Sequence, residues 1–320
     1  MEFEDLPYDV LVDLLLNVKR LYKLRVNKKL NSIIQNITET FNEKFNSLVP
    51  DWRNNTEQLL KILASKDAFL SLKFLGNNFV DPVDIYKNAL MYGTLDLINK
   101  ISEYFSIDFS EDKIMFYTAS GDNVEVFKHF NDLGYKYNVD EILNAATVSD
   151  SIKVIEYLDQ VNENGLNEEQ LESIANNAAK YDYLDLFKFV QSKFNPEEQT
   201  FECNGVNDEK IKINEILFRS ILIAVDNESN KIIDYALSKN LCICDIAKEA
   251  ATVGNLSLIQ MLFKEYNCES IAQEIAVIAA ENGNTDIVDF LSENYDINVE
   301  GISNVNDYDV IEEYIKANNL

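Results

Sequence analysis

The chain has 320 residues, of which 28 are basic and 55 are acidic, so its formal net charge at pH 7 is −27. A charge of this sign repels the phosphates of nucleic acid and anionic lipid, which argues against both as partners. Only 4 residues are proline and 9 are glycine, and alternating runs of valine and threonine are scarce. The composition therefore argues against a β-sandwich and predicts an all-α protein.

The charge is unevenly distributed along the chain. Residues 1–60 contain 8 basic and 9 acidic residues, a net charge of −1, whereas the remainder contains 20 basic and 46 acidic residues, a net charge of −26. A partner protein with a basic surface is the natural complement of this acidic body. An acidic surface that only keeps the protein soluble is the more common explanation, and both interpretations stay open.

Cysteine usage and hydropathy bear on the compartment. Four cysteines are too few and too scattered for a disulfide scaffold, and the single histidine argues against a zinc site. The N-terminus, MEFEDLPYDV, lacks the basic start and apolar run of a signal peptide, and no apolar run approaches the roughly 18 residues of a membrane span. We therefore expect a cytoplasmic protein with no membrane partner.

The first 34 residues have a character of their own. Leu6 and Pro7 precede aliphatic residues at helical spacing, and proline is tolerated in the first turn of a helix. A basic stretch with no acidic residue follows, KRLYKLRVNKK, and it contains Val26.

This arrangement resembles an F-box, in which Leu-Pro is followed by a helix with paired aliphatic residues and a closing Val-Cys-Lys segment. Asn27 stands where that family has the cysteine, and the central turn is shortened. The resemblance implies that residues 1–34 dock the Skp-type adaptor of a cullin ubiquitin ligase. The adaptor-binding residues carried over from the family are Leu6, Pro7, Val10, Leu11, Leu14, Leu15 and Val26. The alternative is an amphipathic helical cap that covers the end of the following repeats.

A short helical unit recurs from residue 57 to the C-terminus, after a connector at residues 35–56 in which we expect Trp52 to be packed. The best copy is QEIAVIAAENGNTDIVDFLSENYDIN, Gln273–Asn298, two amphipathic helices around a Gly-Asn turn. One apolar residue of the second helix recurs every 23 to 32 residues, with a single longer gap. These residues are Leu72, Ile98, Phe127, Ile155, Phe187, Ile233, Ile259, Val288 and Ile311.

Small residues and turn formers recur with the same period. Alanines end each first helix, where neighbouring pairs must approach closely. The turns carry glycine, aspartate or asparagine, which tolerate a left-handed backbone. The turn residues that we expect to fill this role are Gly93, Gly121, Asp150, Asp182, Asn227, Gly254 and Gly283.

These units resemble ankyrin repeats, most closely in AAENGNTDIVDFLSENYDIN, Ala279–Asn298. The resemblance implies an all-α solenoid of about eight ankyrin-like helix-turn-helix repeats over residues 57–320, with a helical N-terminal module and a C-terminal cap at residues 304–320. The Thr-Pro-Leu-His opening of the family is absent and the period is short, which suggests reduced hairpin fingers. The composition, rich in Asn, Ile and Lys, resembles that of ankyrin proteins of giant viruses of amoebae or of AT-rich protists. If the protein is viral, we expect it to act in the host cytoplasm.

The longer gap holds an insertion, residues 192–212. Such insertions often bind partners, although a tolerated surface loop is the more common outcome. Aromatic residues in the links between repeats are the other candidates for partner binding, and half or more of them are expected to pack between repeats instead. The candidates are Phe79, Phe109, Tyr135, Tyr137, Tyr266 and Tyr295.

The sequence offers little for catalysis. His129 is the sole histidine and occupies a second-helix position where other repeats have Tyr157 or Phe290, so we expect it to be packed or half-buried. The glycines stand singly, without a phosphate-binding loop. We predict no cofactor and no metal, and a non-enzymatic protein-interaction scaffold, in one version a substrate-recruiting adaptor for a cullin-type ubiquitin ligase. The alternative is a structural or virion-associated protein. An enzymatic function would require a deep polar pocket that contains carboxyl groups with displaced pKa values.

Overall fold

The computed structural model of the protein describes residues 39, 42–43, 45–194, 200–204, 210–266 and 268–298. The predicted F-box-like segment and the predicted C-terminal cap at residues 304–320 lie outside these ranges. Two compact units divide the chain, Met1–Val161 and Asn162–Leu320. The described residues between Thr56 and Asn294 form sixteen α-helices with one short hairpin, which confirms the prediction of a helical protein in its coarse form.

Between Thr56 and Val161, the described residues of the first unit form four pairs of short helices. In chain order they are α1 (Thr56–Ser65), α2 (Phe69–Asn78), α3 (Pro82–Tyr92), α4 (Leu95–Phe105), α5 (Glu111–Ser120), α6 (Val124–Asp132), α7 (Val139–Val148) and α8 (Ile152–Val161). Helix α1 contacts α3, α3 contacts α5, and α5 contacts α7. The first helices of successive pairs therefore pack side by side within this unit.

The second unit contains four further pairs. They are α9 (Glu168–Tyr181), α10 (Leu184–Lys193), α11 (Glu215–Asp226), α12 (Asn230–Ser238), α13 (Ile243–Val253), α14 (Leu256–Glu265), α15 (Ala272–Glu281) and α16 (Thr285–Asn294), with a short 3-10 helix at Cys268–Ile271. Helix α9 contacts α11, α11 contacts α13, and α13 contacts α15. The packing order is the same as in the first unit.

The apolar residues that mark the period of the sequence form the cores of both units. All eight of the described marker residues are buried, and so are the alanines near the ends of the first helices. The alanines are Ala89, Ala119, Ala146, Ala178, Ala179, Ala224, Ala250, Ala251, Ala279 and Ala280. Because these side chains end at Cβ, neighbouring first helices can approach closely where longer side chains would overpack the core. This part of the sequence-based prediction is confirmed.

A left-handed residue lies in the turn of seven of the eight described helix pairs. Asp150, Asp182, Gly254 and Gly283 have positive φ, as predicted. Two of the predicted positions are wrong by one residue, because the left-handed residue is Asp122 after Gly121 and Glu228 after Asn227, and Asp67 plays this role in the first pair. Gly93 has an extended backbone instead.

A glycine is required at position 121 because another part of the chain comes close to it. Its φ, −94°, does not itself require glycine. A Cβ atom at this position would lie 2.2 Å from the carbonyl oxygen of Met91, on the preceding pair.

Turn aspartates also cap helices of the following pair. The Oδ1 atom of Asp122 accepts hydrogen bonds from the backbone N–H groups of Lys153, at 2.9 Å, and Val154, at 3.1 Å, in the first turn of α8. Asp182 accepts from the N–H of Ile232 in α12 in the same manner. The first N–H groups of a helix have no partner within the helix, so these contacts satisfy donors that would otherwise need water.

Turn asparagines make the reverse contact, toward the preceding pair. The Nδ2 atom of Asn123 donates to the carbonyl oxygens of Leu90, at 2.9 Å, and Gly93, at 2.8 Å, where α3 ends. Asn284 donates in the same way to the carbonyls of Ala251 and Thr252 near the end of α13. Helix pairs are thus joined at their turns in both directions along the chain.

The insertion between α10 and α11 contains regular structure, although we expected a surface loop. Residues Thr200–Asn204 (β1) and Lys210–Asn214 (β2) pair as antiparallel strands, with Thr200 opposite Asn214 and Asn204 opposite Lys210. Strand β2 leads directly into α11, whose first turn is capped by the side chain of Asn214. The hairpin contacts α11 and α13, so it belongs to the second unit.

Substitution of Asp122 tests the capping between pairs. Asp122→Gly keeps the left-handed backbone but removes the acceptor, and we expect it to lower the free energy of unfolding by about 1 kcal/mol. Asp122→Ala also strains the backbone and should cost roughly 1 kcal/mol more. Urea unfolding of the full chain measures both, with the exposed Glu103→Ala as control. Equal stability of Asp122→Ala and the unmodified protein would show that these hydrogen bonds do not stabilise the fold.

Candidate binding surface

Four aromatic residues of the first unit form a continuous surface strip, which we call the aromatic strip. The ring of Phe109 lies 5.1 Å from that of Tyr86 and 5.8 Å from that of Tyr117, and the ring of Phe116 lies 5.5 Å from that of Tyr117. Exposure increases along the strip, since Tyr86 is 4% exposed and Phe116 is 43% exposed. The strip therefore has a packed base and an accessible edge, which suits contact with another molecule.

The local sequence explains why these rings meet. Asp81 caps α3, with Pro82 at its first position, and this fixes the helix that carries Tyr86. Helix α4 ends at Ser106, whose left-handed backbone turns the chain, and the hydroxyl of Ser102 donates to the carbonyl of Ile107 at 2.6 Å. Phe109 lies in this link and is thereby placed between α3 and α5.

Two lysines lie beside the strip. The Nζ atom of Lys113 is 5.8 Å from the ring centre of Phe109, and that of Lys87 is 5.9 Å from the ring centre of Tyr117. Lys87 also pairs with Asp84 at 3.0 Å, and this hydrogen bond raises its pKa. Burial raises the pKa of Tyr86, so its hydroxyl stays neutral at physiological pH. The strip is thus made of uncharged rings, with two lysines and the carboxylates of Asp84 and Asp108 at its border.

Among the predicted partner-binding residues, only Phe109 lies in the strip, and sequence reasoning missed Phe116. Helix α5 buries Ile114, Met115, Thr118 and Ala119. These four positions fill the buried stripe of a 3.6-residue period, and Phe116 falls outside it. A large aromatic residue off the buried stripe was therefore a signal that could have identified it.

Phe79 belongs to a second aromatic cluster, around Trp52. Trp52 is 3% exposed and packs edge-on against Phe45 at 5.3 Å and against Phe79 at 5.7 Å, so the prediction that it is packed is confirmed. The ring of Phe79 is 46% exposed, and the guanidinium of Arg53 lies 5.9 Å from its centre. Phe79 therefore remains accessible to a partner.

Tyr135 and Tyr137 pack between helices of the first unit. The ring of Tyr135 stacks on Phe130 at 4.9 Å. The hydroxyl of Tyr137 donates to Oδ1 of Asn131 at 2.8 Å, and Asn131 donates to the hydroxyl oxygen of Tyr157 at 3.0 Å. Both tyrosines are half-buried, as expected for residues that join neighbouring pairs.

Tyr266 and Tyr295 lie in the second unit, each directly after a second helix. The ring of Tyr295 packs on Phe263 at 4.9 Å, and the side chain of Tyr266 is half-buried at the end of α14. The predicted adaptor-binding residues, from Leu6 to Val26, lie outside the described residues.

His129 is exposed, so the prediction that it is packed or half-buried is wrong. Helix α6 buries Val126, Phe127 and Phe130, and His129 lies beside this buried stripe, outside it. Tyr157 and Phe290, at the aligned positions, are half-buried, whereas His129 is exposed.

One carboxyl pair has the displaced pKa that an enzymatic function would need. Burial, and then the hydrogen bond and charge of Asp226, raise the pKa of Glu249 to about 7. Glu249 lies on α13 and Asp226 at the end of α11, so the pair shares a proton between adjacent first helices. Such a group can exchange protons near neutral pH, but the aromatic strip and this pair lie in different units.

No protein-family model matches this chain, and no characterised protein matches its sequence. The ankyrin-like and F-box-like resemblances therefore stay predictions. None of the described helices combines the length and apolar character that crossing a membrane requires. Across the described ranges, no group of three or more His, Cys, Asp and Glu side chains is placed to hold a metal ion.

The Glu249 pair predicts a pH dependence of stability. Folding raises the pKa of Glu249 from 4.5 to about 7, so the folded state holds this proton more tightly. The contribution of this proton to the free energy of unfolding is complete below about pH 4.5. This contribution is lost as the pH rises through about 7. Glu249→Gln should remove this loss, so the variant gains stability relative to the unmodified protein between these pH values. Urea unfolding at a series of pH values from 5 to 8 measures the difference.

Glu281→Gln, at an exposed position on α15, is the control, and its stability relative to the unmodified protein should not follow the same pH profile. Parallel profiles for both variants would contradict the assignment to Glu249.

Proposed function

We propose that the chain is a non-enzymatic scaffold that holds a partner protein at the aromatic strip. The observation that carries this proposal is Phe116, a large aromatic side chain left 43% exposed on top of packed rings. Aromatic side chains dominate the binding energy of protein interfaces because they bury a large area at a low cost in side-chain entropy. Phe116 also makes an edge-on contact with the half-buried ring of Tyr117 at 5.5 Å, which restricts its motion before a partner arrives and lowers that cost further.

The arrangement of the helices supports the same proposal. Short helix pairs whose first helices pack in sequence order, with alanines at the contacts, are the arrangement expected of ankyrin-like repeats. Repeat proteins of this kind use extended surfaces for binding rather than deep catalytic pockets. The charge of −27 favours a partner with a basic surface.

We further propose that residues 6–34 attach the scaffold to the Skp-type adaptor of a cullin ubiquitin ligase. The support is the resemblance of Leu6, Pro7 and the following aliphatic residues to an F-box. In this version the repeats present a bound protein to the ligase. The competing function is a structural or virion-associated role, in which the chain binds copies of itself.

The strip is tested by affinity capture with the full-length protein. We expect Phe116→Ala to weaken binding of a captured partner by about 10-fold or more, as for an interface hot spot. The matched control is Leu133→Ala, which removes a side chain that is 61% exposed after α6. A partner that binds both variants equally does not use the strip. Self-association by sedimentation, without any Phe116-dependent partner, would favour the structural role instead.

The adaptor is tested separately, with purified Skp-type adaptor and the full chain. Leu6→Ala combined with Pro7→Ala should abolish binding measured by calorimetry, because the residues that open the docking helix are lost. Tyr22→Ala, outside the predicted contact set, should leave binding unchanged. An adaptor that does not bind the unmodified protein would refute this part of the proposal and leave the strip untouched.

A further inference from the structure

The first unit has an open groove of about 820 Å³ beside the helix turns. Its deepest residues are apolar, since Val126 is buried and Leu95 and Tyr92 are half-buried. Its border is acidic, formed by the exposed side chains of Asp96, Glu125 and Asp132. None of the residues that line the groove belongs to the aromatic strip.

The turn hydrogen bonds hold the walls of the groove in place. Asp67 accepts hydrogen bonds at 3.0 Å from both the N–H and the hydroxyl of Thr94, at the start of α4. Asn123, at the start of α6, donates to the carbonyl of Gly93. The backbone on both sides is therefore fixed by contacts between helix pairs, so a ligand meets a preformed surface.

The charges of the groove select a cationic ligand. Its lining contains four carboxylates, those of Asp67, Asp96, Glu125 and Asp132, and one lysine, Lys128. Within the described part of the chain, Asp132 has no hydrogen-bonding or ionic partner, and neither does the imidazole of His129.

Two of the other carboxylates form exposed ion pairs, Glu125 with Lys128 at 3.6 Å and Asp96 with Lys100. Exposed pairs of this kind are worth only about 0 to 1 kcal/mol, so an incoming cation can replace the lysine. Another nearby cation is Lys61, whose Nζ lies 4.7 Å from the ring centre of Tyr92. Among the residues that line the groove, carboxylates therefore outnumber lysines by four to one.

We propose that this groove binds a basic segment of a partner protein. The aliphatic stem of an arginine or lysine lies along Leu95 and Val126, and its charged end meets the carboxylates of Asp96, Glu125 and Asp132. Long basic side chains combine an apolar stem and a charged end in this way, and guanidinium groups form strong paired hydrogen bonds with carboxylates. A phosphate or an acidic peptide would be repelled by the same border. The inference rests on the proposed scaffold function only in that the ligand belongs to a partner protein.

His129 supplies a site-specific test, because it is the sole histidine of the chain and lines the groove. The probe is end-capped hexa-arginine, added to full-length protein with isotope-labelled histidine at physiological ionic strength. We expect a saturable shift of the His129 ring signals, with the same Kd by calorimetry. Binding that leaves the ring signals unmoved, or no binding at all, would overturn the proposal.

Two charge-matched triple variants separate the groove from general attraction to an acidic protein. Asp96→Asn, Glu125→Gln and Asp132→Asn together should weaken binding by about 10-fold or more. Glu103→Gln, Glu141→Gln and Glu156→Gln remove the same charge from exposed positions outside the groove and should change the Kd by about twofold at most. Equal weakening in both would show non-specific attraction. This readout does not involve Phe116, so its failure is distinguishable from failure of the aromatic strip.

Discussion

Hydrogen bonds between the turns of successive helix pairs are the constraint on which the rest of the structure depends. Most of the described helices have only 9 to 12 residues, a length at which an isolated helix is marginal in water. Their ends leave N–H and C=O groups without partners in the helix. Asp122 satisfies donors in the following pair, and Asn123, the next residue, satisfies acceptors in the preceding one. Two adjacent side chains thus join three successive pairs, and neither contact can form unless the alanine-lined first helices are already close.

Both candidate binding surfaces are products of this arrangement. The aromatic strip combines a residue of α3, a residue of the following link and two residues of α5, so it exists only while those pairs keep their register. The groove takes residues from three successive pairs, and the same turn contacts by Asp67 and Asn123 hold its walls. A substitution that loosens a turn would therefore weaken both surfaces.

Periodicity predicted the helix pairs, their buried marker residues and the contacting alanines, because each of these depends on local spacing and side-chain volume. It failed where the backbone conformation or the exposure of a residue depends on contacts with a neighbouring helix pair. Asp122 rather than Gly121 is left-handed because the aspartate can reach α8 from that conformation, while Gly121 is small because Met91 approaches it. His129 was misjudged for a related reason. Alignment to other units assigns a side chain to a position in the repeat, whereas exposure is decided by what the next pair places there. The hairpin at residues 200–214 has no counterpart in the repeat, so the period could not predict it.

The acidic charge acts on these surfaces in different ways. At Glu249, burial and then the hydrogen bond and charge of Asp226 raise the pKa to about 7, so one carboxyl group is partly neutralised near neutral pH. At the groove the carboxylates lie at an open border, where water screens them until a ligand excludes it. At the strip, Lys87 and Lys113 place positive charge beside the rings of Tyr117 and Phe109. One acidic chain can therefore offer a cation-selective groove and a neutral aromatic contact, and a partner with a basic segment next to an apolar surface would match both.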